Sequence, residues 1–198
     1  MNCVLKSTSP CIETLLCVDG NISHLVWHQA RFDRTQKEYF STNSHMLLAS
    51  HLHPPKEGRF RIRIVYDTQI QSIEYIPYTP KEILTFGLVE SSIEYTYKYA
   101  NREALVSLIP PSMDDALITC KNELKDTTIA NIALLIEGVW VTPLHPLLKG
   151  TTRERLLASG FLKAASLTTA SLQKAEKFAI MNALIGFKII NNLNIKGL

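Results

Sequence analysis

Cysteine is scarce in this 198-residue chain, which has only Cys3, Cys11, Cys17 and Cys120. No two of them stand at metal-ligand spacing, and a chain of this length buries a core without disulfide staples, so reduced thiols and no metal site are expected. His45, His51 and His53 lack an acidic companion, and the last two run into Pro54-Pro55, which again argues against a metal. Charge of one sign is also lacking: 21 basic and 18 acidic residues leave +3, too little and too interspersed to imply a nucleic acid or a membrane as partner. No run approaches the roughly 18 apolar residues of a membrane span. Met1-Asn-Cys-Val-Leu-Lys has no apolar segment of secretory type, so a soluble, cytoplasmic protein is expected. Any anion binding must be local.

What is present is 46% apolar residue content, enough for one domain or two small lobes. Residues 12–18 and 22–27 flank Asp19-Gly20 as a hairpin would, and a helix is expected over 28–40. A shorter helix is expected over 46–52. Alternation in Arg-Phe-Arg-Ile-Arg-Ile-Val-Tyr, residues 59–66, predicts a half-buried strand, with 70–75 as its partner. Pro77 and Pro80 then break the pattern, and the boundary between lobes is placed there, giving 1–82 and 83–198. Beyond it, strands are expected at 83–89 and 93–99 and a helix at 101–108. Two hairpins follow, turning on Lys121-Asn122 and Glu137-Gly138, with the second over 131–136 and 139–142. Helices at 151–159 and 169–177 and strands at 178–181 and 187–190 complete an α+β chain of mostly antiparallel sheet.

Three stretches carry candidate chemistry. Gly150-Thr-Thr-Arg153 opens a helix, so Thr151 and Thr152 either cap it or join its free N–H groups in an anion site. Asp126 is either a turn aspartate or a carboxylate held beside a ring nitrogen, and Asn131 orients it or caps the next strand. Lys98, in a stretch whose even positions are polar, is either a solvated strand lysine or an amine able to form a Schiff base when partly buried. His28 and Arg31 face one direction on a helix, where Arg31 either lies exposed or meets a phosphate. Arg59, Arg61 and Arg63 share one strand face, as solvated residues or as partners of a carboxylate.

In this order the segments resemble the fold-type IV pyridoxal phosphate enzymes, the class IV aminotransferase family. Ile12-Glu13-Thr14 and His28-x-x-Arg31 are similar to its Phe-Glu-Thr and His-x-x-Arg elements, the latter carrying a phosphate-binding arginine. Tyr97-Lys98-Tyr99-Ala-Asn101-Arg102 resembles the segment of the Schiff-base lysine. Asp114-Asp115-Ala-Leu-Ile118 resembles the Asp-Glu-Ala-Leu strand, Asp126-x4-Asn131 the Glu-x4-Asn element, and Gly150-Thr-Thr-Arg153 the Gly-Ile-Thr-Arg turn. The resemblance covers nearly the whole chain. It implies a D-amino-acid aminotransferase-like fold of two lobes with pyridoxal 5'-phosphate in the cleft between them, in a homodimer.

By the same resemblance, Lys98 is the catalytic residue and cofactor anchor, and Arg31, Thr151 and Thr152 hold the phosphate near Asn182 and Ala183. Asp126 and Asn131 serve the ring nitrogen. Asn182-Ala183-Leu184 is similar to the lyase branch rather than to the Gly-Thr-Ala turn of branched-chain transaminases. The implied function is therefore a 4-amino-4-deoxychorismate lyase, releasing pyruvate and forming 4-aminobenzoate for folate synthesis. Its alternative is a branched-chain or D-amino-acid aminotransferase. The chain departs from the pattern twice, with Asp126 in place of glutamate and Ser7-Thr-Ser-Pro-Cys11 in place of a further strand and glycine-rich turn.

Overall fold

The computed structural model describes residues 9–43 and 45–197. Cys3, the opening Met1-Asn-Cys stretch and the Ser7-Thr8 part of the altered N-terminal stretch lie outside them. The chain divides into two compact units, one running to Thr79 and taking in Tyr97–Asn101, the other made of Pro80–Thr96 and everything from Arg102 on. Lys98, expected in the second lobe, therefore stands with the first unit.

The first unit is a four-stranded antiparallel sheet of β1 (Cys11–Val18), β2 (Asn21–Ile22), β3 (Arg59–Tyr66) and β4 (Ile70–Pro77), in the order β2-β1-β3-β4. Asp19 and Gly20 turn between β1 and β2 at φ 48° and 77°, the paired positive values of a tight hairpin turn. Alternation in β3 sends Ile62, Ile64 and Tyr66 inward, where they meet Cys11, Leu15, Cys17 and Phe32.

Helix α1 (Leu25–Glu38) begins three residues earlier than the sequence predicts. His24 takes a left-handed conformation (φ 54°) that ends the strand, so the apolar run through Trp27 belongs to the helix. Its buried positions His28, Arg31, Phe32, Thr35 and Gln36 form one helical stripe, of which only Phe32 is apolar. The expected second helix is a single 3-10 turn, Leu48–His51.

Residues 93–99, expected as a strand, are irregular. Tyr99 N–H donates to Tyr97 O, closing a tight turn around Lys98, and the segment borrows the edge of β1 that short β2 leaves open. Ile12 N–H donates to Lys98 O and Ala100 N–H to Pro10 O, both at 2.8 Å, which sets Tyr99 opposite Cys11.

In the second unit, β5 (Thr85–Glu90), the short helix α2 (Glu103–Val106), β6 (Asp115–Cys120), β7 (Glu123–Thr127), β8 (Asn131–Ile136), β9 (Val139–Pro143) and helix α3 (Thr151–Ala158) follow in order. Then come β10 (Lys163–Ala165), α4 (Thr169–Lys174), β11 (Lys177–Asn182), β12 (Gly186–Ile190) and β13 (Asn194–Lys196). The sheet runs β10-β9-β8-β7-β6-β5-β13, with β11 also paired to β8 and carrying β12. Both predicted hairpins form, each on a pair of positive-φ residues, Lys121-Asn122 and Glu137-Gly138.

The helix expected at 101–108 shrinks to one turn. The three parallel pairings (β5–β6, β5–β13 and β9–β10) leave antiparallel pairing in the majority, as expected for this α+β chain. The core gathers Phe86, Leu117, Leu124, Ile132, Leu134, Phe178 and Ile180. Asp126, read from the sequence as lying in a polar interruption, is an inward-facing member of β7 paired with Asn131.

Candidate functional site

In the first unit the polar stripe of α1 closes on a buried carboxylate. Glu13, fully buried on β1, accepts from Arg31 Nε at 2.8 Å on one oxygen. Its other oxygen accepts from Arg31 Nη2 at 2.7 Å and faces His28 Nδ1 at 2.5 Å. Burial by itself would push the Glu13 carboxyl up. The Arg31 charge and the hydrogen bonds from His28 and Arg31 outweigh it and hold the group at about 2. Burial holds His28 below its ordinary value, helped by the charges of Arg31 and Lys98 against the pull of Glu13. The imidazole is thus neutral with its proton on Nδ1, donated to the ionised Glu13.

Arg31 is accordingly neither exposed nor a simple phosphate arm: Glu13 takes two of its five N–H groups and fixes its plane. A lone glutamate at an inward position of an otherwise apolar strand was the signal for this partner. Lys98 is half-buried on the segment paired with β1, and its charge acts on His28.

The second unit brings together Asp126, Asn131 and the start of α3. Asp126 Oδ1 accepts from Asn131 Nδ2 at 2.8 Å and Oδ2 from the Leu148 N–H at 2.9 Å. Asn131 Nδ2 also donates to Leu148 O at 2.7 Å. One amide therefore ties the carboxylate to the loop that enters α3. Gly150 is needed for this approach, since a Cβ there would lie 2.1 Å from Asn131 Oδ1.

Burial pushes Asp126 up to about 6, in spite of the hydrogen bonds from Leu148 and Asn131 and the charge of Arg153, which pull it down. The first intrahelical bond of α3 is Glu154 N–H to Gly150 O. The N–H groups of Thr151, Thr152 and Arg153 therefore point out of the helix end beside the threonine hydroxyls. Arg153, buried, donates to Pro143 O and to Glu154, adding positive charge to that turn.

Asn182, at the end of β11, donates to Ile129 O at 3.2 Å, and its Oδ1 accepts from Leu184 and Ile185 N–H, so the turn carrying Ala183 is fastened to the loop between Asp126 and Asn131. That loop is held from beneath by Asp115. Its Oδ1 accepts from the Thr128 N–H and hydroxyl, while its buried Oδ2 has no hydrogen-bond partner among the described residues. Asp115 and the Leu148 backbone were not singled out as functional from the sequence; a buried second acid beside Asp114 was the available signal. Among the described residues no group of three His, Cys, Asp or Glu side chains could hold a metal ion.

The family model of amino-transferase class IV matches residues 94–193. A Haemophilus influenzae protein without an assigned function is 29% identical over 185 residues, covering 89% of this chain and 98% of that one. The crystal structure of a candidate 4-amino-4-deoxychorismate lyase from Haemophilus somnus 129PT superposes with a TM-score of 0.82 at 27% identity, over 90% of this chain and 97% of that chain. A candidate amino-acid aminotransferase from Mesorhizobium loti superposes at 0.74 with 20% identity, over 94% and 99%, a likeness of fold. With the family match spanning half the chain and the fold-type IV expectation borne out, the chain belongs to the class IV aminotransferases, a family of pyridoxal phosphate-dependent enzymes.

Proposed function

We propose that the chain is a 4-amino-4-deoxychorismate lyase that uses pyridoxal 5'-phosphate, works as a cytoplasmic homodimer and supplies 4-aminobenzoate for folate synthesis. The observation that carries the reading is its 27% identity, over 90% of its length, to the Haemophilus somnus lyase candidate. Asn182-Ala183-Leu184 supports it from the sequence. No helix among the described residues is long and apolar enough to cross a membrane, which leaves β-barrels unaddressed.

The residues present fit the cofactor. Buried Asp126 has two neutral donors and is held near 6, so what its ionised form lacks is a cationic N–H, which a protonated pyridine nitrogen provides. The α3 N-terminus offers backbone N–H groups and two hydroxyls for a phosphate. When bound, pyridoxal phosphate supplies an electron sink for the carbon next to the substrate amine. Asp126 keeps a proton on the ring nitrogen, and Asn131 keeps Asp126 aimed. Thr151, Thr152 and Arg31 bind the phosphate, Arg31 in an orientation set by Glu13. Asn182 and Ala183 line the neighbouring turn. Lys98 would hold the cofactor through its amine, and the same amine would serve as general base and acid toward the reacting carbon.

Purified protein supplied with pyridoxal phosphate is expected to show a visible absorbance band that Lys98→Ala abolishes. With aminodeoxychorismate it should release pyruvate and 4-aminobenzoate. Conversion of an amino acid and 2-oxoglutarate without any 4-aminobenzoate would instead identify a transaminase and sink the lyase reading.

A further inference from the structure

The lysine segment of the first unit leans on one aromatic ring. Two backbone hydrogen bonds tie it to β1: Ile12 N–H donates to Lys98 O and Ala100 N–H to Pro10 O, on either side of the Cys11–Tyr99 bridge. A pairing this short, made by an irregular segment, is marginal by itself and needs side-chain support. Tyr39, the residue that ends α1, supplies it. Its ring lies 4.8 Å from that of Tyr97 and 5.6 Å from that of Tyr99, at interplanar angles of 32° and 68°. Those two rings are 6.3 Å apart, and the turn from Tyr99 N–H to Tyr97 O keeps them together. Lys98 is the residue between them.

The hydroxyl of Tyr39 reaches the other partner of the pairing. Tyr39 Oη accepts from Ser9 N–H at 3.1 Å, one residue before the Pro10 carbonyl that receives Ala100 N–H. One side chain thus touches both stretches that meet at Lys98, the entry to β1 through its hydroxyl and the lysine segment through its ring. Tyr39 is itself held in place. Its N–H donates to Thr35 O, and its ring meets that of Phe40 at 4.8 Å. Phe40 packs on Tyr66 and Tyr66 on Phe32, so contacts between rings run unbroken from the core to the lysine segment. Arg31, whose plane Glu13 fixes, lies about 12 Å back along the same helix. A single helix therefore carries the arginine and the ring that supports the lysine segment.

We infer that Tyr39 is a positioning residue: it clamps the lysine segment onto β1 and so fixes where the Lys98 amine stands relative to Arg31. The inference rests on the proposed reading only for what that amine does. In that reading Arg31 and Lys98 hold different groups of one molecule, so their spacing must match it, and a segment that drifts from β1 breaks the match. Aromatic contacts of this geometry add to the burial of the rings. Losing two of them shifts the docked-to-released ratio of the segment by roughly 5- to 150-fold.

The test begins without cofactor, by amide hydrogen exchange. Tyr39→Leu is expected to speed exchange of the Ile12 and Ala100 amides roughly 5- to 150-fold, while the amides shared by β1 and β3 keep their wild-type rates. Tyr39→Phe keeps both ring contacts and gives up only the exposed bond from Ser9, so it should restore wild-type exchange. Each protein is then mixed with subsaturating pyridoxal phosphate and reduced with borohydride, and the labelled lysine is identified by peptide mass spectrometry. Tyr39→Leu should show lower occupancy of Lys98, and Tyr39→Phe the wild-type occupancy. In turnover, Tyr39→Leu should lower kcat far more than it raises KM, because it displaces the lysine rather than the groups that hold substrate. Unchanged exchange at Ile12 and Ala100 in Tyr39→Leu overturns the inference, as does exchange that rises equally through the whole first unit. Wild-type occupancy of Lys98 in Tyr39→Leu overturns it too. Faster exchange at Ile12 and Ala100 in Tyr39→Leu, with no label on Lys98 in the wild type, keeps the clamp and sinks the reading of Lys98 as the anchor.

Discussion

Asp126→Asn isolates the cost of a buried carboxylate waiting for a cation. In the unligated protein Asp126 is held at about 6 against an ordinary 3.8, chiefly by burial. At about 1.4 kcal/mol per tenfold change in proton affinity, ionising it in the folded state costs roughly 3 kcal/mol. Because the folded value is raised, the stability linked to this group is fully present below 3.8 and is lost as pH rises through 6.

Asparagine does not titrate, but its amide cannot accept from both Asn131 and Leu148, so one hydrogen bond worth about 1 kcal/mol disappears at every pH. The two effects separate in urea denaturation followed from about pH 4 to about pH 7.5. Wild type should be the more stable at the acid end, and its advantage should shrink and reverse by roughly 3 kcal/mol across the range. Glu13, His28 and the surface carboxylates titrate equally in both proteins and cancel in the difference. Saturating pyridoxal phosphate should flatten the wild-type curve, because a protonated ring nitrogen compensates the ionised acid. Parallel stability curves for the two unligated proteins would falsify the placement of Asp126 as an uncompensated buried acid.

Gly150→Ala sets a methyl group against Asn131 Oδ1 at 2.1 Å, so that loop or amide must move. A loss of about 1–3 kcal/mol in chemical denaturation is expected, together with weaker cofactor uptake measured by the visible band. Glu13→Ala leaves Arg31 and His28 facing no anion and should cost about 3–5 kcal/mol, read from the thermal midpoint of unligated protein. The stability that Glu13 contributes is present above its ordinary 4.5 and is lost as pH falls toward 2, so this variant should lose its deficit progressively in acid. Asn131→Asp removes the donor and sets a second acid beside Asp126, and should abolish the cofactor band at neutral pH while sparing the fold in acid.

Much of the fold was legible where local chemistry decides it. The β3 alternation, the Asp19-Gly20 and Glu137-Gly138 turns, and Gly160 after α3, at φ 75°, are fixed by neighbours in sequence. What escaped depends on partners far along the chain. Helix α1 buries four polar residues on one stripe, so hydrophobic period could not find its start, and the apolar Leu25-Val26-Trp27 passed for strand even though Val26 is 72% exposed. Alternation at 93–99 suggested a strand, but the segment has neighbours to pair with only around Tyr99. β10 and β13 are three-residue parallel strands with no local signature. Of the candidate site, Gly150-Thr-Thr-Arg153, Asp126 and Asn131 stood out through the order of motifs in the family resemblance, since spacing alone left a helix cap and a turn aspartate open. The bidentate hold of Glu13 on Arg31 was not, because it needs a strand and a helix already packed.

The short β2 leaves open an edge of β1 at Cys11 and Ile12 that the Lys98 segment fills, and this has a kinetic consequence. Ile12 and Lys98 are 86 positions apart, and closing a flexible loop of that length costs about 4 kcal/mol in chain entropy before any contact is gained. The Lys98 amine, proposed as the cofactor anchor, is thus positioned by one of the longest-range pairings in the first unit, and a pairing of such sequence separation is expected to form late in folding. On that expectation, the sheet of a newly made chain is expected to form before its lysine is in place. Cofactor capture then reports the completion of folding rather than its onset.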